Sequence, residues 1–171
     1  MRKARKFKMF LVFSSCLFLM MISLVCSGVA FAAENPEGAT INSTLTGDPN
    51  CINRGTIETS RSYQYGMHVT EADSYASNFG RVITHGRSAY GMYAYNGATA
   101  TNEIRGSITT GYGDYYYSYY AYGMYAESGS TITNEGTITT YAYYASGMCA
   151  SGSGSTATNE TGGTITTNGT S

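Results

Sequence analysis

Three glutamates at equivalent positions are the first candidates for chemistry in this chain. Glu103, Glu135 and Glu160 each directly follow an asparagine. Two carboxylates held about 5–10 Å apart can hydrolyse a glycosidic bond, and a column of them also suits a cation. A lyase would additionally need a basic side chain, but no lysine follows Lys8 and the five later arginines are scattered. We therefore interpret the glutamates as solvated charges at a turn rather than as a catalytic or substrate site.

Other residue types that carry catalysis or bind metals offer little. His68 and His85 have no second histidine or cysteine at ligand spacing. No phosphate-binding loop, nucleophile elbow or Asp-rich calcium-binding repeat is present. The sequence therefore predicts no catalytic residue, no cofactor and no metal ligand, and we expect a protein that is not an enzyme.

The amino-terminal segment has the pattern of a secretory signal peptide. Five basic residues lie among the first eight, an apolar run extends from Met9 to about Ala33, and an Ala-Phe-Ala cleavage site ends at Ala32. We predict a signal peptide over residues 1–32. Because the run is long enough to span a bilayer, an uncleaved signal anchor is the alternative.

Composition after this leader limits the possible partners and folds. Five arginines oppose eleven acidic residues there, a net charge of −6. Nucleic-acid phosphates demand clustered Lys and Arg, so we expect no nucleic-acid partner. Large aliphatic residues are also scarce. A composition this poor in large aliphatic residues suits a solenoid better than a compact globule, because a solenoid needs only a thin apolar line in each turn.

A fivefold repeat indicates the architecture. The pattern Gly-x-(Ile/Val)-x-Thr recurs at intervals of 25 to 30 residues, and Gly-Met recurs four times between its copies. Self-similarity at this period is typical of stacked repeats, each of which buries its apolar face against its neighbours. The repeated positions are Gly55, Gly80, Gly106, Gly136 and Gly163, with Gly66-Met67, Gly91-Met92, Gly123-Met124 and Gly147-Met148.

Each repeat contains three short segments that alternate apolar and polar residues. The first ends in Asn, as in Thr131–Asn134; the second is the Gly-x-Ile-x-Thr segment; the third begins with Gly-Met. Such alternation is typical of strands with one buried face. We predict an all-β parallel β-helix of about four to five rungs of ~25 residues. A meander of hairpins is the alternative. Residues 33–50 would form a lead-in or cap, and residues 51–171 the rungs, the last one incomplete.

Stacking would place equivalent residues of successive rungs above one another. The repeated asparagines then either form an amide ladder or serve only as turn residues. Cys51 and Cys149 belong to different rungs, and rungs stack at about 4.8 Å. Their Cα atoms should exceed the ~7 Å limit for a disulfide, so we predict two unpaired thiols.

Tyrosine is the strongest surface signal, and all 17 tyrosines follow the leader. Outward positions after Gly-Met hold His68, Tyr93, Tyr125 and Cys149, which predicts a partly aromatic stripe. Aromatic stripes stabilise stacked strands, and exposed tyrosines among Ser and Gly also suit adaptable binding and stacking on sugars. Regular Thr-x-Thr arrays on the predicted strands resemble those of ice-binding proteins, although Thr is also a common outward strand residue.

The segments Tyr122–Ala126 and Thr131–Thr140 resemble the passenger repeats of bacterial autotransporters. The resemblance covers roughly Asn50 to the C-terminus. It implies a β-helix displayed on the outer face of a Gram-negative cell, often as an adhesin. This sequence departs from that family because it stops at Ser171 without a C-terminal membrane β-barrel, so we expect a truncated passenger.

From these observations we predict a secreted or cell-surface, non-enzymatic β-helix repeat protein that functions in adhesion or surface interaction. Its partner would be a host or surface receptor or a glycan. The alternative is a self-assembling structural or biofilm-matrix element that associates through an open C-terminal rung. A carbohydrate-active β-helix enzyme and an ice-binding solenoid are lesser alternatives. We expect an extracellular or cell-surface location, or the periplasm if the chain is truncated before a barrel.

Overall fold

The computed structural model describes residues 32–47, 49–111 and 119–169, which coil into a parallel β-helix. The predicted signal peptide, apart from Ala32, lies outside the described residues, as does the tyrosine-rich segment 112–118. Within the described part of the chain, no helix is long and apolar enough to cross a membrane.

Three parallel sheets form the sides of the coil, and strands are numbered in chain order. The first sheet contains β1 (Ala33–Asn35), β4 (Asn50–Asn53), β7 (Tyr75–Asn78), β10 (Thr99–Asn102), β13 (Thr131–Asn134) and β16 (Thr156–Asn159). The second contains β2 (Thr40–Ile41), β5 (Thr56–Thr59), β8 (Arg81–Thr84), β11 (Ser107–Thr110), β14 (Thr137–Thr140) and β17 (Thr164–Thr167). The third contains β3 (Leu45–Thr46), β6 (Met67–Val69), β9 (Met92–Tyr95), β12 (Met124–Glu127) and β15 (Met148–Ser151).

Successive rungs stack with equivalent residues in register, as the repeat predicts. In the second sheet Ile57 pairs with Val82, and Ile108 pairs with Ile138. This parallel register confirms the β-helix and excludes the meander of hairpins. The described strands make five complete rungs and two strands of a sixth. Residues 33–50, predicted as a lead-in or cap, contain the three strands of the first rung.

The core is a set of apolar columns, one inside each sheet. The first sheet contributes Cys51, Ala76, Ala100 and Ile132; the second contributes Ile57, Val82, Ile108 and Ile138; the third contributes Met67, Met92 and Met124 with Val69, Ala94 and Ala126. All of these side chains are buried. Small and large side chains are combined within these columns, which fills a narrow interior although the chain has few leucines.

The two repeated motifs depend on each other through close packing. A Cβ atom at Gly91, in the Gly-Met motif, would overlap Cγ2 of Ile108, in the Gly-x-Ile-x-Thr motif. The same overlap would occur between Gly123 and Ile138. Glycine precedes methionine because a β-branched side chain already occupies the space that its Cβ would take.

The repeated asparagines form an amide ladder, which is one of the two outcomes expected from their position. In all but the last, Nδ2 donates a hydrogen bond of 2.7–2.8 Å to Oδ1 of the asparagine one rung further on. The ladder contains Asn35, Asn53, Asn78, Asn102, Asn134 and Asn159. Since all but the last are buried, the side-chain amides are satisfied largely by one another.

The cysteines are unpaired, which confirms the prediction from their rung positions. Cys51 lies in the core of the second rung, whereas Cys149 lies half-buried on the outward side of β15. Burial raises the pKa of the Cys51 thiol to about 12. The reactive thiolate is therefore scarce at this position.

We expect the two thiols of residues 33–171, Cys51 and Cys149, to react at very different rates in the folded protein. Because a shift of three pKa units lowers the thiolate fraction about a thousandfold, Cys51 should react at least that much more slowly with a maleimide than it does after unfolding. One equivalent of reagent should add rapidly at pH 7, at Cys149, and the second only in denaturant. Two fast equivalents in the folded state would contradict the buried position of Cys51.

Candidate binding surface

The outward side of the third sheet carries the predicted aromatic stripe. His68 pairs in register with Tyr93, Tyr93 with Tyr125, and Tyr125 with Cys149. The His68 and Tyr93 rings stack with centroids 5.0 Å apart and planes 28° apart. The alternation of inward and outward residues therefore predicted the direction of all four side chains correctly.

A second aromatic column interlocks with the first. Tyr65, Tyr90 and Tyr122 occupy the position just before the glycine of the first three Gly-Met motifs, and Ser146 occupies it in the fourth. Tyr65 stacks on Tyr93 at 4.9 Å and 24°, and Tyr90 stacks on Tyr125 at 5.1 Å and 19°. The repeated Tyr-Gly-Met indicates this column in the sequence. The contacts between the two columns run diagonally from one rung to the next, and only the structure shows them. We call the two columns together the tyrosine ladder.

The tyrosines of the ladder are half-buried because their rings cover one another. Burial raises the pKa of the Tyr65 and Tyr122 phenols, and it raises that of Tyr90 to about 12. Tyr93 donates a hydrogen bond of 2.9 Å to Glu127 Oε2, and burial together with this bond raises its pKa further. The phenols of Tyr65, Tyr90, Tyr93 and Tyr122 are thus neutral at ordinary pH. Because most ring faces of the ladder pack against other rings of the ladder, its main role is to stabilise the stacking of the rungs.

His68 terminates the ladder toward the first rung. Its ring also lies 4.8 Å from Tyr65, and burial lowers its pKa. A cavity of about 350 Å³ beside it is lined by Thr46, Gly47, Thr70 and Glu71. Its lining contains one carboxylate, that of Glu71, together with two threonine hydroxyls and the His68 ring.

A third group of tyrosines lies at the corner that leads from the second sheet into the third. Tyr63, Tyr120 and Tyr144 each lie three residues before the glycine of a Gly-Met motif, where the remaining copy has Ser88. All four residues have positive φ angles, between 50° and 60°. The three tyrosines are 67%, 48% and 56% exposed. We call this set the corner tyrosines.

Aromatic and basic side chains surround the corner tyrosines. Tyr120 and Tyr144 stack with centroids 5.6 Å apart and planes 21° apart. In the adjacent column Tyr119 stacks on Tyr143 at 5.5 Å, and the Arg87 guanidinium lies 5.6 Å from the Tyr119 ring centroid. The corner therefore presents rings and a cation together, the arrangement of a cation–π contact.

The glutamates considered as candidates for chemistry lie on a different corner, between the first and second sheets. Glu103, Glu135 and Glu160 follow three successive asparagines of the ladder and therefore stack in one column. Two rungs earlier, the same column holds Arg54, whose guanidinium lies 4.7 Å from the centroid of the Phe79 ring. The described residues contain no group of three or more His, Cys, Asp and Glu side chains that could hold a metal ion.

Histidine and threonine occupy the remaining polar positions of interest. His85 Nε2 lies 2.8 Å from Glu58 Oε1, across one rung step. The Thr-x-Thr segments of the first sheet stack in register, and the Thr156 hydroxyl donates to Thr131 Oγ1 at 3.0 Å. These contacts join neighbouring rungs, as outward polar residues of stacked strands commonly do.

Comparison with known protein families adds a second line of information. A family model described as the BigA third pectate lyase-like domain matches residues 27–106 and, in a second register, residues 46–171. The chain belongs to this family. No curated protein and no solved structure matches it.

Membership of the BigA third pectate lyase-like domain family agrees with the three stacked sheets. The two overlapping matches are offset along the chain, as expected when one model can align with different copies of a repeat. The match supports a β-helix repeat protein of the autotransporter and BigA type. That the chain is a truncated passenger stays a prediction.

Proposed function

We propose that this protein is an exported, cell-surface β-helix that adheres to a surface or receptor without catalysing a reaction. The family match supports a β-helix repeat protein of the BigA type. The observation that carries the binding role is the concentration of tyrosine on one side of the coil, which we call the tyrosine side. It comprises the tyrosine ladder, the corner tyrosines and Tyr95. Tyrosine supplies a large contact area at low entropic cost, which suits adhesion.

The arrangement of polar residues favours binding over catalysis. Glu127, the carboxylate nearest the ladder, accepts a hydrogen bond from Tyr93, and Glu58 contacts His85 on another side of the coil. An acid–base pair would need two such groups directed at one substrate position. The exposed rings of the tyrosine side need no such pair, because they act by contact area and hydrogen bonding alone.

A matched pair of exposed tyrosines tests the proposal. Tyr95, on the tyrosine side, and Tyr75, on the first sheet, are outward strand residues with 39% and 41% exposure. Beads coated with the protein should attach to epithelial cells, and Tyr95→Ala should reduce attachment about fivefold or more if this side makes the contact. Tyr75→Ala should leave attachment unchanged. Equal losses in both variants would show that the tyrosine side is not the binding surface.

A second candidate function, self-assembly, is favoured by the last described rung. Strands β16 and β17 are exposed along their whole length, and Ile165, which is equivalent to buried Ile138, is 37% exposed. An unpaired edge of this kind can pair with a strand of another chain. Light scattering of the protein over a concentration series separates the two roles. Growth into oligomers that Tyr95→Ala does not affect would favour assembly, whereas a monomer that attaches to cells would favour adhesion.

A further inference from the structure

The corner tyrosines are the part of the tyrosine side whose rings remain open to solvent. Within the ladder, each ring is stacked by neighbours from the adjacent rungs. Tyr120 and Tyr144 stack only on each other among the described rings, and the position next to Tyr63 in the following rung is occupied by Ser88. Each corner tyrosine therefore offers ring surface to a partner, which the half-buried ladder does not.

The backbone at Tyr63 indicates that this tyrosine is not there for stability. A left-handed φ suits Gly, Asn or Asp, and a bulky residue in this region is strained. At the corner that leads from the third sheet to the first, left-handed positions hold Asp73, Asn96 and Ser128. Tyr63 has the same strain at φ 60° but is 67% exposed, so burial does not compensate for it. Strain without a packing benefit is typical of residues retained for function.

The charged residues described at this corner are both basic; residues 112–118 of the corner, which include Asp114, lie outside the described part of the chain. The described segments of the corner, residues 60–64, 86–88, 119–120 and 141–144, include Arg61 and Arg87 and no acidic residue. The chain after its leader is otherwise strongly acidic. Both arginines are exposed, and Ser88 lies among the rings. A cationic partner would be repelled by the guanidinium groups, whereas a carboxylate could be bound by a guanidinium fork.

We propose that the corner tyrosines, with Arg61 and Arg87, bind an acidic sugar ring, a pyranose that carries a carboxylate. The apolar C–H face of the pyranose would lie on an exposed tyrosine ring, its hydroxyls would hydrogen-bond to the phenols and to Ser88, and its carboxylate would pair with an arginine. Neighbouring rungs lie about 4.8 Å apart, and one pyranose spans about that distance, so an oligosaccharide can contact several rungs at once. This inference rests on the proposed adhesive function and names the ligand of its binding side.

The experiment compares two ligands that differ only in the carboxylates. Cellohexaose and its C6-oxidised form, a hexamer of glucuronate, are titrated into the purified protein by isothermal titration calorimetry at low salt. We expect the oxidised hexamer to bind at least tenfold more tightly, and this preference to weaken as salt increases. Arg87→Gln should reduce that preference, because the carboxylate loses its guanidinium partner. Equal affinity for the two hexamers, or no binding of either, would overturn the proposal.

Two variants separate recognition from folding. Tyr63→Gly relieves the left-handed strain, so its midpoint of thermal unfolding should be equal to or higher than that of the wild type, while its affinity for the oxidised hexamer falls at least fivefold. Tyr75→Ala, an exposed tyrosine on the first sheet, is the matched control and should bind normally. Loss of stability together with loss of binding in Tyr63→Gly would assign this tyrosine a structural role instead.

Attachment of protein-coated beads to cells distinguishes failure of this inference from failure of the proposed function. If the beads attach normally but neither hexamer binds, the adhesive function stands and the acidic-sugar ligand is wrong. If the beads do not attach but the oxidised hexamer binds through the corner, the ligand class stands and the adhesive role is wrong.

Discussion

Replacing Asn102 by alanine is expected to lower the free energy of unfolding by about 3–5 kcal/mol, because it interrupts the asparagine ladder at its centre. Asn102 accepts a hydrogen bond of 2.8 Å from Asn78 and donates one of 2.8 Å to Asn134. It also donates to the Thr137 carbonyl oxygen at 3.3 Å. Each buried polar group that loses its partner costs about 1–3 kcal/mol, and the missing side chain leaves a cavity as well.

The last asparagine of the ladder is the matched control for this prediction. Asn159 accepts a hydrogen bond of 2.7 Å from Asn134 but is exposed, so solvent can replace its contacts. Asn159→Ala should cost about 1 kcal/mol or less, measured by urea unfolding followed by circular dichroism. If both variants lost the same stability, the ladder would contribute no more than one ordinary hydrogen bond per rung.

The second large effect is expected in the isoleucine column of the second sheet. Ile138 is completely buried between Ile108 and Ile165 of the neighbouring rungs. Its replacement by alanine should cost about 2–5 kcal/mol, since it removes buried apolar surface and leaves a cavity that the coil can fill only by moving a whole rung. Small domains are stable by about 5–15 kcal/mol, so this variant should approach the unfolding threshold at moderate temperature.

The same substitution at Ile165 provides the comparison. This side chain occupies the equivalent position in the last described rung but is 37% exposed. Ile165→Ala should cost about 1 kcal/mol, and thermal unfolding of the two variants measures the difference. Should Ile165→Ala prove as destabilising as Ile138→Ala, the side chain would be covered in solution, by a further rung or by a second copy of the chain.

These two columns explain how a chain with few large aliphatic residues can display an adhesive surface. The asparagine ladder and the isoleucine column run through the coil from rung to rung, and the tyrosine ladder reinforces it from outside. A stiff stack holds the corner tyrosines at a regular spacing without a separate domain to support them. The exposed corner positions can then vary in sequence, because the inward columns and the tyrosine ladder supply the stability.

Much of the fold could be predicted because the same pattern of strand-forming residues occurs five times in the sequence. The alternation within Thr131–Asn134 predicts a strand, and its recurrence predicts a neighbour of the same kind one rung away. The unpaired state of Cys51 and Cys149 and the outward direction of His68 follow from the same stacking. The asparagine ladder was left open, because asparagine at a corner is equally well explained as a turn residue. Only the side-chain contacts decided between the two.

The sequence by itself determined the architecture, since the period of the repeat sets which residues stack and the alternation sets which of them point inward. Only the tertiary structure decided how the tyrosines are used. Tyr65 and Tyr63 are two residues apart, yet one is half-buried in the ladder and the other is exposed at a left-handed corner. The physical reason is that ring stacking and corner geometry depend on contacts with neighbouring rungs, which come together in space only after the chain has coiled.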